Sequence, residues 1–124
     1  MIIGTGIDLI ELKRIEAALR RQPRLPFRLL TAAERKVMDT FTWSRQVEYV
    51  AGRFAAKEAL AKALGSGVGG RFSWQDVSIL PEQNGAPRLI WHTRPKGVEQ
   101  GIRVHLSLSH SKRYVVAQAI VEKC

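Results

Sequence analysis

From Arg45 to Leu64 the chain runs about 20 residues without a proline, is dense in alanine and stops at Gly65. A stretch of that kind folds as one helix of roughly 30 Å, with Ser44 as its N-cap and the glycine just past its end. In a chain of 124 residues such a helix crosses the whole body of the fold, and every other element must pack around it. Its phase carries one anomaly. With Phe54 at zero, Val47 falls at about 20°, Val50 at about −40°, Ala51 at about 60° and Ala61 at about −20°, while Glu58 falls at about 40°. A carboxylate therefore sits inside the apolar arc, where it needs a cation. Lys62, one turn on at about 80°, offers an i,i+4 bridge at the edge of a core as the plain structural explanation.

Around this helix the pattern predicts a single α+β domain over residues 1–124, helices in the first half and a mainly antiparallel sheet in the second. Residues 2–10, Ile-Ile-Gly-Thr-Gly-Ile-Asp-Leu-Ile, predict a buried strand whose glycines mark a close backbone approach. Leu12, Ile15 and Leu19 then recur at helical spacing until Pro23. Thr31-Ala-Ala-Glu34 has the form of a capping box for a helix ending near Phe41. Val77–Leu80 and Arg88–Trp91 flank an Asn84-Gly85 turn and predict a hairpin. Ile102 to Leu108 alternates at the period of a half-buried strand, and Tyr114 to Val121 is its expected antiparallel neighbour.

Asp8 is the second carboxylate in an apolar setting. It serves either as a cap for the helix beginning near residue 12 or, together with Glu58, as an oxygen ligand. Two carboxylates suit Mg²⁺, which completes its shell with water and substrate phosphates. The glycine-rich 65–70 segment beside Lys62 offers backbone N–H groups to phosphate, although it lacks the Walker spacing and no dinucleotide fingerprint is present. His92, His105 and His110 form no pair at metal-ligand spacing, and the lone Cys124 excludes a zinc knuckle and an intrachain disulfide. His110 ends its strand beside hydroxyls and cations, either as a turn residue or as a phosphate or proton partner.

The net charge of +9 points to an anionic partner. Residues 13–28 hold Lys13, Arg14, Arg20, Arg21, Arg24 and Arg28 against only Glu16, either a docking patch or a solvated face. Nucleic acid is the general alternative for so basic a chain, but no RNP-type motif, zinc finger or helix-turn-helix accompanies the charge, and no nucleic-acid partner is expected. No apolar run approaches the ~20 residues of a membrane span, and Met1–Asp8 lacks a basic leader region. The expected location is the cytoplasm, with no membrane partner.

Three motifs carry a resemblance: Gly6-Ile-Asp8 with Glu11-Leu-Lys-Arg14; Gly52-Arg-Phe-Ala-Ala-Lys-Glu-Ala-Leu-Ala-Lys62 running on to Gly65-Ser-Gly67; and Leu106-Ser-Leu-Ser-His110-Ser111. In this order and spacing the chain resembles the 4'-phosphopantetheinyl transferases, in the short bacterial holo-(acyl-carrier-protein) synthase class, along essentially its whole length. The resemblance implies the family's α+β fold with helices on a mainly antiparallel sheet. It also implies a homotrimer with active sites at subunit boundaries. The implied reaction is transfer of the 4'-phosphopantetheine arm of coenzyme A to a serine of an apo acyl carrier protein. Adenosine 3',5'-bisphosphate leaves, in a magnesium-dependent step that supports fatty acid biosynthesis. By the same resemblance, Asp8 and Glu58 hold Mg²⁺, or Mn²⁺ in its place, and Lys62 contacts the pyrophosphate. Arg53, His110 and Ser111 meet the 3'-phosphate and adenosine end, Gly65, Ser66 and Gly67 lie near the nucleotide, and the Asn84–Pro87 turn lines the adenine pocket. Arg14, Arg21 and Arg24 would dock the acidic carrier. Many relatives carry tryptophan where Phe54 stands, a departure that touches packing and no charged group.

Overall fold

The computed structural model describes residues 1–65, 72–95, 98 and 101–124. Its elements run β1 (Ile2–Glu11), α1 (Leu12–Arg21), α2 (Leu25–Leu29), α3 (Ala32–Met38), α4 (Trp43–Ala63), a 3-10 turn (Trp74–Asp76), β2 (Val77–Pro81), β3 (Pro87–Trp91), β4 (Ile102–His110) and β5 (Tyr114–Lys123). Among the described residues two antiparallel sheets form, one of three strands in the order β1-β5-β4 and one made by the β2-β3 hairpin. The long helix lies against β1 and β5 on one side and meets α1, α2 and α3 on others.

The helix is buried nearly all round rather than on one arc. Tyr49, Val50, Ala51, Ala55, Ala56, Ala59, Leu60, Ala61 and Ala63 are all buried. Small side chains make this possible, because a helix surrounded by neighbours must let backbones approach. The closest approach is to β1. A Cβ on Gly6 would stand 2.0 Å from the Ala59 carbonyl oxygen, and one on Gly4 would stand 2.0 Å from that of Ala63. The two strand glycines thus mark the close contact expected from the sequence.

Several boundaries differ from expectation. α4 begins at Trp43 with Thr42 at the N-cap, one turn-entry earlier than Ser44, because Trp43 and Ser44 both continue into helix. β1 extends through Glu11, and the first helix starts from Glu11 with no side-chain cap. Asp8 is therefore mid-strand and caps nothing. The short helix α2, with Pro26 in its first turn, has no periodicity long enough to register in the sequence, and proline there is tolerated because the first-turn N–H is free in any case. The Thr31–Glu34 capping box forms as read, and its helix ends at Met38. Gly65 follows α4 with φ +87°, the left-handed conformation that ends helices.

The seating of α4 on β1 yields a test. Gly6→Ala is expected to cost about 3 kcal/mol, because the new methyl meets backbone that cannot move aside. Urea unfolding measures it, and a loss below about 1 kcal/mol would mean that the helix shifts freely on the strand.

Candidate functional site

Asp8 faces α4 because the strand's even positions, Gly4, Gly6, Asp8 and Ile10, are those turned inward. Its side chain is only 17% exposed and pairs with Lys62 at 3.1 Å. Lys62 Nζ also donates to the Ile7 carbonyl at 3.0 Å. The expected Glu58–Lys62 bridge is thus replaced by a strand-to-helix bridge, since the lysine reaches across to β1 rather than back along its own helix. Glu58 is half-buried and close enough to feel both groups. Burial pushes its carboxyl above the usual carboxylate range, the Asp8 charge adds to the push, and Lys62 opposes it. Two carboxylates and one lysine therefore converge at the β1-α4 seam, with more negative charge than one cation neutralises.

Among the described residues no group of three or more His, Cys, Asp or Glu could hold a metal. The donor set offered here is two carboxylates, and a divalent cation fits it on chemical grounds. Hard oxygen donors suit Mg²⁺, two protein carboxylates are its usual number, and mutual repulsion between Asp8 and Glu58 is what such an ion would relieve.

A second cluster lies on another face of α4. Arg45, Glu48, Tyr49, Gly52 and Arg53 of the helix, Pro81 and Gly85 of the hairpin, and Ser109 and His110 of β4 line one cleft. Arg53 is held firmly. Its Nε donates to the Ile79 carbonyl at 2.9 Å, and its guanidinium stacks 4.2 Å from the Tyr49 ring centre. Tyr49 Oη is buried without a hydrogen-bond partner, and burial pushes its pKa up to about 12 against the pull of Arg53. His110 Nδ1 stands 3.9 Å from Glu48. Ser111 stays outside the cleft lining, where its Oγ accepts from the backbone N–H of Tyr114 at 3.1 Å and so closes the β4-β5 turn.

The hairpin turn is built by Asn84, whose Oδ1 accepts from the Ala86 N–H at 3.0 Å. Gly85, at φ +84°, is the turn residue that reaches the cleft, while Asn84 and Pro87 lie beside it. Gly65 ends α4 just beyond Lys62, and Ser66 and Gly67 lie outside the described residues. Arg14 and Arg21 are exposed on α1 and Arg24 is exposed at the head of α2. Asp8, Glu58 and Lys62 do not line the cleft that holds Arg53 and His110. From Arg53 to Glu58 the helix advances about 7.5 Å and turns about 140°.

Sequence reasoning missed Arg45, Glu48 and Tyr49 as cleft residues, and it missed Lys57 altogether. The last was within reach. On the same wheel Lys57 falls at about −60°, beside Val50, and it is fully buried against Glu34 with a contact of 2.7 Å.

Residues 4–119 match the 4'-phosphopantetheinyl transferase superfamily. The holo-(acyl-carrier-protein) synthase of Shouchella clausii is 52% identical over 122 residues, 98% of this chain and 99% of that protein. The crystal structure of a holo-(acyl-carrier-protein) synthase from Bacillus anthracis, in complex with CoA (3',5'-ADP), superposes with a TM-score of 0.88 at 44% identity, covering 100% of this chain and 99% of that one. The acyl carrier protein synthase of Plasmodium yoelii with ADP bound gives a TM-score of 0.89 at 30% identity, covering 100% of this chain and 97% of that one.

The raised pKa of Glu58 gives a signed expectation. A carboxyl held above its unfolded value makes the ionised form costly in the fold, so the penalty is absent below the unfolded pKa and sets in as pH rises through the folded one. Glu58→Gln should therefore stabilise the metal-free protein at neutral pH by up to about 1 kcal/mol after solvent screening, with the gain vanishing as pH falls below the carboxylate range. Thermal unfolding from pH 4 to 8, scanned at roughly unit steps, checks it. A gain that grows toward acid would have the wrong sign.

Proposed function

The chain belongs to the 4'-phosphopantetheinyl transferase superfamily, in its holo-(acyl-carrier-protein) synthase class, and from that premise we propose the reaction it performs. It moves the 4'-phosphopantetheine arm of coenzyme A onto a serine of an apo acyl carrier protein. The serine oxygen attacks the phosphorus that bears the arm, a new P–O bond forms, the pyrophosphate bridge breaks, and adenosine 3',5'-bisphosphate departs. The observation that carries this reading is the meeting of Asp8, Glu58 and Lys62 at one seam. Residues 1–124 act as one transferase domain in the cytoplasm, in support of fatty acid biosynthesis. No helix among the described residues is long and apolar enough to cross a membrane.

Asp8 and Glu58 would hold Mg²⁺, or Mn²⁺ in its place, which when bound screens the pyrophosphate oxygens and the charge that develops on the leaving phosphate. Lys62, half-exposed, swings from Asp8 to the same phosphates. Glu58 has the raised proton affinity needed to take the serine proton, directly or through a water. Arg53 and His110 meet the 3'-phosphate, with Ser111, Gly65, Ser66 and Gly67 close to the nucleotide and the Asn84–Pro87 turn at the adenine.

Because the seam and the cleft occupy different faces of α4, a homotrimer in which one copy supplies the seam and a neighbour the cleft accounts for both. The outer face of the three-stranded sheet supports such packing, for Ile3, Ile7 and Leu9 are 49%, 60% and 64% exposed on β1. Apolar exposure of this kind along one face of a strand marks an interaction surface. Arg14, Arg21 and Arg24 dock the acidic carrier.

The reaction is tested by intact mass spectrometry of apo carrier protein incubated with this protein, coenzyme A and Mg²⁺. A gain of one phosphopantetheine is expected, lost on adding EDTA and lost in Glu58→Gln; turnover that survives chelation would overturn the metal assignment. Charge reversal at Arg14, Arg21 and Arg24 should raise KM for carrier protein about tenfold or more, with a smaller salt dependence, and leave KM for coenzyme A nearly unchanged. An equal rise in both constants would remove these residues from docking.

A further inference from the structure

Lys57 and Glu34 are both fully buried, and the transferase mechanism uses neither. Lys57 Nζ spends all three protons inside the protein, on Glu34 Oε1 at 2.7 Å, the Trp74 carbonyl at 2.8 Å and the Leu29 carbonyl at 3.0 Å. Glu34 Oε1 also accepts from the Thr31 N–H at 2.8 Å, and its Oε2 accepts from the Ile79 N–H at 2.8 Å. One ion pair thus ties the ends of α2 and α3, the middle of α4, the 3-10 turn and β2 to a single point. Thr31 Oγ1 and Ser78 Oγ, 2.6 Å apart, extend the tie along β2.

Ile79 is where this network meets the cleft. Its N–H goes to Glu34 and its carbonyl to Arg53, so the edge of β2 away from β3 is completed by two side chains in place of a neighbouring strand. Arg53 in turn leaves Ile79 to stack on Tyr49 and line the cleft. The geometry runs Lys57, Glu34, Ile79, Arg53. Stability alone does not explain the choice of residues, because an apolar pair of similar size usually serves a core as well as a buried ion pair does. Fixed hydrogen-bond geometry at Ile79 is what an apolar pair could not supply.

We propose that the buried Lys57–Glu34 pair is a positioning device for coenzyme A binding, setting the hairpin edge at Ile79 and through it the Arg53 guanidinium in the cleft. The inference rests on the transferase reading. Lys57 and Glu34 are positioning residues that touch no substrate.

The test replaces both partners at once, Glu34→Leu with Lys57→Met, which leaves no buried charge unpaired. Circular dichroism and thermal unfolding establish the fold, and calorimetric titration with coenzyme A accompanies steady-state kinetics. The double variant is expected to fold, to bind coenzyme A about tenfold more weakly with a matching rise in KM, and to keep kcat and KM for carrier protein within about threefold. In a cycle with Arg53→Ala, the pair replacement should add little to the loss already caused by Arg53→Ala, because both act through one guanidinium. Glu34→Gln with Lys57→Met, which keeps the shape of the first side chain and likewise leaves no buried charge unpaired, should shift coenzyme A affinity in the same direction and serves where the first double variant does not fold.

An unchanged affinity in a folded variant, effects that multiply with Arg53→Ala, or loss of the fold in both variants would each overturn the positioning role. Failure of the transferase reading looks different, since the wild type itself would then transfer nothing to carrier protein.

Discussion

The contact on which the rest depends is the one between two glycines and a helix backbone. Carbonyl oxygens of Ala59 and Ala63 occupy the places where side chains on Gly6 and Gly4 would begin. With β1 and α4 that close, the next inward residue of the strand, Asp8, lies within a lysine's reach of the helix, and Lys62 closes the gap at 3.1 Å. A strand held one methyl further away would leave Asp8 and Glu58 more fully solvated and further apart. Close packing is therefore the origin of the electrostatics at the seam, where burial and Asp8 raise the pKa of Glu58.

The same helix buries a cation one residue away with the opposite logic. Lys57 and Glu34 satisfy one another and every remaining proton of the lysine, although burial alone pulls the lysine's pKa down. Charge here is matched and static. At the seam it is unmatched, with two carboxylates to one half-exposed lysine, and unmatched charge in a partly desolvated place is what a cation or a titrating proton responds to. Adjacent positions on one helix thus separate a matched charge from an unmatched one by how completely each is partnered.

Much of this was legible in the sequence where a signal was local. The Thr31–Glu34 box, the Gly65 stop, the hairpin around Asn84-Gly85 and the alternation in β4 each depend on neighbours a few residues away, and each formed; the glycines of β1 showed that a backbone comes close, though not that it is α4. The residues of the seam could be named because charge inside an apolar arc is anomalous wherever it occurs. Partner choice was not legible. Lys62 chose Asp8, 54 positions distant, over Glu58 one turn away, since the strand's position is a tertiary fact. Attention to Glu58 also hid Lys57, although its phase beside buried Val50 put it at the edge of the apolar arc, and in a helix enclosed nearly all round that edge is buried too. Glu34 read as a cap and was one, but the second duty of its carboxylate, toward Lys57 and Ile79, left no trace in the local pattern.

The phase of α4 also constrains how a ligand can use it. Arg53 faces the hairpin and β4, and Glu58 faces β1, about 140° apart on the helix. The body of the helix packs against β1 and β5, and among the described residues Asp8, Glu58 and Lys62 are not part of the cleft lining. A ligand with phosphates at two separated positions can still engage both kinds of group if a second copy brings its cleft to the seam of the first. The apolar outer face of β1, with Ile7 and Leu9 more than half exposed, belongs to the strand that carries Asp8, so in the proposed trimer a neighbour packed there would lie beside the seam. Burial of that face and completion of the site would then be one event, and the affinity for coenzyme A would be coupled to assembly through the two sides of a single strand.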